Sequence, residues 1–389
     1  MRPSIFDERR RDITGGADHL VSQFEYLNRS DRDEAQRVRD LIDSLFSRYP
    51  ADAGDALRTR LRSVDDNEHL SAFFELVLHE LLLRSKCQVL AVEPSLESTR
   101  RSPDFRAQTE AGTRFYLEAT LATGRSDTQR GEDRRLDEAL QAIDSVQSPD
   151  SDLFVCIEGT PAAPVNGGRL KQRLEDWLRT RNNLQITTRR NDEGTDRTKF
   201  SYEQNGVTFR ITSMPRHQTH GMTERARSIA GRTLAPLSAS LQVPICTAVR
   251  KKAEHYGDLD APCVVAVNAL SRFVCDDHAV DALFGTKSAS FKQSAESFQN
   301  VTNRNTDGAW CGPSGPVNTR IGAVLFTKRL EPWRLGQCRA RLFMNPWARK
   351  PLAEHPLAID VCEVKDDQIH CTTGSSMAEL LELPEAWPE

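Results

Sequence analysis

The apolar positions of the first fifty residues recur at helical spacing. RDEAQRVRDLIDSLFSRY sets Val38, Leu41, Ile42, Leu45 and Phe46 on one face, with charge elsewhere. The preceding NRSDRDEA offers capping residues before the first apolar turn. Residues 69–86, HLSAFFELVLHELLLRSK, make the most apolar helix in the chain. The period then shortens to that of strands: QVLAVEP, SPDFRAQT and TRFYLEATLAT, with a hairpin turn expected at Glu110-Ala111-Gly112. A charged loop (GRSDTQRGEDRR), a helix (LDEALQAIDSV) and a buried-type strand (SDLFVCIEG) follow. This alternation predicts an α/β layer fold.

Beyond residue 160 the pattern predicts a basic amphipathic helix, GGRLKQRLEDWLRTR, and a hairpin, KFSYEQNGVTFRITSMP, turning at Asn205-Gly206. RHQTHGMTERARS reads as a loop. The helix VPICTAVRKKAEHYG then leads into a buried-type strand, APCVVAVNAL, and further strands are expected at RIGAVLFTKRL and CRARLFMN. With no Pro/Gly linker to separate domains, one elaborated domain is expected. Its parts are a helical N-terminal extension (1–68), a core (69–160), an insertion carrying the basic helix and hairpin (161–240) and a helix–strand continuation with C-terminal strands (241–389).

Composition narrows the class. A net charge of -4 argues against a uniformly basic binder without excluding a local basic surface. No stretch approaches the roughly 20 apolar residues that span a bilayer, so no membrane association is expected. The opening MRPSIFDERRRD lacks the apolar core of a secretory signal. Nine scattered cysteines form no CxxC pair, which argues against a zinc ribbon and fits a reducing, cytoplasmic setting. Cys156 and Cys263 lie in apolar runs, where a thiol serves as a small hydrophobe. P-loop, GxGxxG, GxSxG and HExxH signatures are absent.

The candidate chemistry is acidic. If the first hairpin turns about Ala111, Asp104 and Glu118 face each other across it, with Cβ atoms about 5 Å apart. Two carboxylates so placed repel, and a hard divalent cation relieves the repulsion. The plain alternative is a solvated pair on an exposed sheet face. On the apolar helix, Phe73, Phe74, Val77, Leu78 and Leu81 cover one face and Leu76, Leu82 and Leu83 much of the rest. Glu75 and His79 therefore share a narrow polar stripe. A carboxylate there needs a partner or a route to solvent, and a histidine there is more often packed than ligating.

Glu75 on a helix, then SPDF with Asp104, then FYLEAT with Glu118, resembles the PD-(D/E)XK, or restriction-endonuclease-like, nuclease superfamily. The resemblance covers residues 70–160, with the helix LDEALQAIDSV and strand LFVCIEG in the expected order. More widely, FFELVLHELL, KKAEHYG, PCVVAVNA, ALFG and MNPWA resemble segments of large bacterial proteins built on that core. The resemblance implies a mixed central sheet flanked by helices, with an inserted and C-terminal α+β elaboration. It implies hydrolysis of phosphodiester bonds in DNA, or RNA, with Mg2+ or Mn2+, in a setting of bacterial defence or restriction. The chain would act as a homodimer or as a partner subunit of a defence complex. Asp104, Glu118 and the carbonyl of Ala119 would hold the metal, with Glu75 joining directly or through water. The motif lysine is replaced by Thr120, which shares a strand face with Glu118 but carries no charge. Lys252 and Lys251, on RKKAEHYG, are the candidates to supply that charge from another element, against the alternative of a solvated helix face; Lys171 is a weaker one. Arg100 and Arg101 precede the Pro103-Asp104 turn and are candidates to meet a phosphate. Lys171, Arg173 and Trp177 on the basic helix are candidates to follow a nucleic-acid backbone and stack one base, or else form an ordinary surface helix with Trp177 in the core. A protein that keeps the fold, has lost cutting through Thr120 and binds nucleic acid or a partner is the alternative function.

Overall fold

The computed structural model describes residues 3–388 apart from 97–98, 100, 124–126, 147–150, 183–198, 216–227, 235–239, 272, 295–296, 367 and 385. Two compact units are present. One comprises Met1–Arg11, Gln23–Gly124 and Ser240–Glu389; the other comprises Asp12–Ser22 and Arg125–Ala239.

The first unit opens with helices α1 (Gln23–Arg29), α2 (Asp33–Arg48), α3 (Ala51–Leu61) and α4 (Asp66–Arg84), followed by strands β1 (Gln88–Val92), β2 (Phe105–Gln108) and β3 (Arg114–Ala122). Asp65 caps α4 by accepting from the amides of Asn67 and Glu68. The cap expected ahead of α2 does not form: its N-cap residue is Arg32, and no side chain closes the turn. The stripe Val38, Ile42, Leu45 and Phe46 is buried in one core with Phe73, Phe74 and Val77 of α4. The N-terminal helices thus form a layer of this unit rather than an extension, because α2 and α4 share one core with the sheet.

The second unit carries α5 (Asp127–Asp144), β4 (Ser151–Gly159), α6 (Gly167–Asn182), β5 (Lys199–Gln204), β6 (Val207–Pro215) and β7 (Ile229–Leu234). Its sheet has the order β5-β6-β4-β7. The β5–β6 hairpin turns at Asn205-Gly206 as expected, both residues at positive φ (51° and 84°), the geometry of a two-residue hairpin loop. The span 69–160 is therefore divided, since α5 and β4 build this second sheet and leave β3 after Ala122. Val155, Ile157 and Leu153 of β4 are buried against Ile211, Phe209, Leu140 and Leu174, all within the unit.

The chain returns to the first unit through α7 (Gln242–Ala253), β8 (Cys263–Ala269), α8 (Asp276–Phe284), β9 (Lys287–Ser294), β10 (Ser297–Arg304), β11 (Cys311–Gly312), β12 (Gly315–Pro316), β13 (Ile321–Lys328), a 3-10 turn (Pro332–Gln337), β14 (Ala340–Met344), β15 (Asp360–Lys365), β16 (Gln368–Thr372) and α9 (Met377–Leu381). The result is an eight-stranded mixed sheet, β1-β2-β3-β8-β13-β14-β15-β16, in which β3, β8 and β13 run parallel. Every residue of β8 is buried, as a strand covered on both faces requires. Leu117, Val264, Ala266 and Leu325 face the α1–α4 core, while Tyr116, Val265, Val267 and Val324 face the α7–α8 core. The chain is thus mixed α/β, with a large mixed sheet flanked by helices.

Cys362 and Cys371, opposed in the β15–β16 register, form a disulfide. The scattered cysteine spacing gave no sign of this pairing. Cys263 is a buried free thiol, as its apolar run suggested, and Cys156 is half-buried. Among the described residues no helix is long and apolar enough to cross a membrane.

Candidate active site

The β2–β3 hairpin has the register expected of a turn about Ala111: Phe105 opposes Leu117, and Arg106 opposes Tyr116. Thr109 N donates to Thr113 O (2.9 Å), and Gly112 closes the turn at φ 91°, a conformation glycine takes without strain. One residue beyond the paired ladder, Asp104 meets Glu118. Its backbone amide donates to Glu118 Oε2 at 3.1 Å, and its own Oδ2 accepts from Ala119 N at 2.6 Å.

The backbone orients Ala119 as well. Tyr116 N donates to Pro262 O (2.8 Å) and Leu270 N to Ala122 O (3.1 Å), so even-numbered residues of β3 turn their peptide groups toward β8. Alternation turns the amide and carbonyl of Ala119 to the other side, past the end of β2 pairing and beside Asp104.

Glu118 is 3% exposed. Its Oε1 accepts from Lys252 Nζ near the C-terminus of α7, and its charge acts on the nearby Tyr256 phenol. Tyr256 OH is in addition within 3.1 Å of Ser102 O, which ties α7 to the residues just before Asp104. Burial, then the charge of Glu118, pushes the Tyr256 phenol well above its ordinary value. Lys252 follows from the helical phase of α7: Val249 and Ala253 are buried, which sets Lys252 at the boundary and leaves Lys251 exposed. Thr120, half-buried, shares the α7 face of β3 with Tyr116, Glu118 and Ala122.

Glu75 is buried in α4, also at 3% exposure, and is held by groups from the preceding helices. Tyr49 OH donates to its Oε1 (2.6 Å), and Arg60 Nη1 stands 2.7 Å from its Oε2. Burial works against the charge on Arg60, yet its contact with Glu75 leaves the guanidinium pKa above the ordinary value. His79, one turn on, is a packed ring, 4.9 Å from the Tyr49 ring and 6.0 Å from that of Phe105. Sequence reading missed Tyr49 and Arg60. The only signal for them was indirect, in that a carboxylate buried in an apolar helix needs donors from somewhere.

Asp104 bears the electrostatic consequence. Burial first, then the charges of Glu118 and Glu75, raise its carboxyl well above the usual carboxylate range, against the pull of the Ala119 amide and Lys252. Three acids thus act on one point, with Lys252 on one side and Arg60 on the other. This surplus of buried negative charge suits a cation, and Asp104, Glu118 and the Ala119 carbonyl are the donors on hand. Among the described residues, however, no group of three or more His, Cys, Asp or Glu is arranged to hold a metal ion. Glu75 is committed to Tyr49 and Arg60.

The remaining candidates separate. Arg101 is exposed, and its charge reaches His255, which burial, Arg101 and Lys252 hold below its ordinary pKa. Arg100 lies outside the described residues. Lys171, Arg173 and Trp177 belong to the second unit. Lys171 is 3.9 Å from Glu175, Arg173 lies over the Tyr202 ring (5.7 Å), and Trp177 packs against Phe200 (ring centroids 5.7 Å). Their contacts are those of a helix docked on its own sheet, with Trp177 spent on packing. No family model, no curated protein and no solved structure matches the chain.

Proposed function

We propose that the first unit is a metal-dependent nuclease of the restriction-endonuclease-like type, hydrolysing phosphodiester bonds of DNA, with Lys252 in the role that Thr120 cannot fill. The observation that carries this reading is the contact between Lys252 and Glu118 directly across from Asp104. The order α4–β1–β2–β3–α7–β8, with β8 parallel to β3, supports it: the larger stretch of the second unit, Arg125–Ala239, is inserted between β3 and the crossover helix that the motif requires. The helix and strand expected to complete the core, α5 and β4, belong to the second unit, and in this reading α7 and β8 take that role.

The residues that would hold Mg2+ or Mn2+ are Asp104, Glu118 and the Ala119 carbonyl. A bound divalent cation would lower the proton affinity of a water and offset charge on the phosphate. The chain's own groups supply the rest. Lys252 brings positive charge to the point where charge accumulates on phosphoryl oxygens during in-line displacement. Thr120, on the same face, offers a hydroxyl able to orient a water. Tyr49 and Arg60 hold the Glu75 carboxylate in place, and its charge acts on Asp104, which favours a cation there.

A second reading has its own observation. All three acids are already engaged by protein groups, and no three-residue ligand set is formed among the described residues. That favours a nuclease-fold protein that binds nucleic acid or a partner without cutting. Incubation of plasmid and single-stranded DNA with Mg2+ or Mn2+, wild type beside Asp104→Ala and Glu118→Ala, separates the two. Cleavage lost in both variants supports the nuclease; a wild type inert with every metal supports the binding platform.

A further inference from the structure

Next to the Glu118–Lys252 contact a small recess opens to solvent. Its charged and hydroxyl-bearing lining consists of Lys252, Tyr256, Asp258, Arg320, Arg349 and Lys350. These come from three stretches far apart in sequence: the end of α7 and the turn after it, the residue before β13, and the loop after β14. The parallel pairing of β13 with β8 brings them together, since Ile321 opposes Cys263 in the register. Arg349 N donates to Thr319 O (2.7 Å), and Lys350 Nζ donates to Leu259 O, so the two loops close on one another around the opening.

The charges in this cavity do not cancel. Lys252 is neutralised by Glu118. Arg320 and Arg349 are exposed, and among the described residues neither pairs with a carboxylate. Asp260, outside the lining, is taken by Arg106 and the Tyr116 hydroxyl. Arg320, Arg349 and Lys350 face the single carboxylate of Asp258, which leaves two positive charges uncompensated. A phosphate monoester carries about -1.5 to -2 at neutral pH, whereas each diester along a strand carries about -1. A backbone tracked along its length calls for an open basic groove. A short recess with doubled charge suits a chain end.

Resting on the nuclease reading above, we infer that this cavity binds the terminal phosphate monoester of a nucleic-acid strand. Lys252 stands at the shared wall between the phosphate recess and the acidic site, so a strand anchored by its end would present a nearby phosphodiester to Asp104 and Glu118.

The test is binding of a labelled single-stranded oligonucleotide to the full chain in EDTA, which separates binding from cleavage. Three strands are compared: phosphorylated at one end, at the other end, or bearing hydroxyls at both. Either phosphorylated strand should bind about tenfold tighter than the hydroxyl-ended one, the gain of one or two charge-assisted hydrogen bonds. Inorganic phosphate should erase that advantage, and so should the double variant Arg320→Ala/Arg349→Ala, whose exposed side chains carry no part of the core. Equal binding of all three strands, or an advantage that survives the double variant, overturns the inference. If inorganic phosphate binds the cavity by calorimetry while the strands are not distinguished, the site serves a small anion and the strand-end assignment fails. Cleavage with Mg2+ is scored separately. A protein that prefers phosphorylated ends but cuts nothing keeps this pocket and loses the nuclease. One that cuts all three strands with the same KM keeps the nuclease and loses the pocket.

Discussion

Lys252 and Glu118, 134 residues apart in the chain, meet at hydrogen-bonding distance, Nζ to Oε1. Glu118 is almost fully buried and the lysine side chain is 20% exposed, so this pair is held mostly out of water. Removing one partner of such a pair costs more than the pair itself gains, because the other charge is left buried. Lys252→Gln should therefore lower stability by about 3 kcal/mol and, under conditions where circular dichroism shows it folded, reduce Mg2+-dependent cleavage by about 10²-fold. Lys251→Gln, on the exposed side of α7, should change neither. Equal effects from both would remove Lys252 from the site.

Thr120 allows a transplant. It shares a strand face with Glu118, at the position where the motif of the proposed superfamily carries lysine. In a Lys252→Ala background, Thr120→Lys should recover about tenfold in cleavage rate, since charge stabilisation depends on where the ammonium stands and not on which element delivers it. Recovery of stability without recovery of rate would show that Lys252 only neutralises Glu118.

Asp104 makes a prediction in pH. The native state holds its carboxyl proton more tightly than the unfolded chain does, because burial and the charges of Glu118 and Glu75 raise its pKa. Its contribution to stability is therefore greatest below the ordinary value of 3.8 and declines as pH rises toward the elevated native value. Asp104→Asn, which is uncharged, should raise stability at neutral pH by about 1 kcal/mol while abolishing cleavage, a common exchange at functional sites. Urea melts of both proteins from acid to neutral pH would show the gap widening with pH; a gap that narrows would contradict the electrostatic account.

Mg2+ should act on the same point from the other direction. Added to wild type, it should raise the melting temperature, and more so at higher pH, where Asp104 loses its proton and binding to the native state is favoured. Differential scanning fluorimetry with Asp104→Asn and Glu118→Gln should show no such rise. A shift that persists in both variants would place the ion elsewhere.

Tyr49 tests how Glu75 is held. Tyr49→Phe removes a donor from a buried carboxylate and leaves the ring in place, so it should destabilise by about 1–2 kcal/mol. Since Arg60 is then the partner left to Glu75 among the described residues, the double variant with Arg60→Gln should cost more than the two single changes together. Additive costs in chemical denaturation would mean that the two donors do not share the carboxylate.

Local pattern carried much of this structure. The period-two alternation and the Glu110-Ala111-Gly112 turn determine the β2–β3 register, and with it the meeting of Asp104 and Glu118, because a hairpin's pairing follows from its turn. The segment VPICTAVRKKAEHYG marks Lys251 and Lys252 as candidates, and the fold chooses Lys252. The apolar circumference of α4 confines Glu75 and His79 to one narrow polar stripe. Tertiary structure alone decided what lies across longer separations. α5 and β4 carry the same amphipathic signals as a core helix and strand, and only the choice of sheet partner sends them to a second unit and gives their place beside β3 to α7 and β8. Tyr49 and Arg60 read as ordinary helix residues until α2, α3 and α4 bury a common core. The Cys362–Cys371 pair and the basic cavity arise from strand neighbours and loops brought side by side by the order of the sheet. Periodicity records which face of an element is buried. It does not record against what, because that is settled by the summed burial of many distant residues.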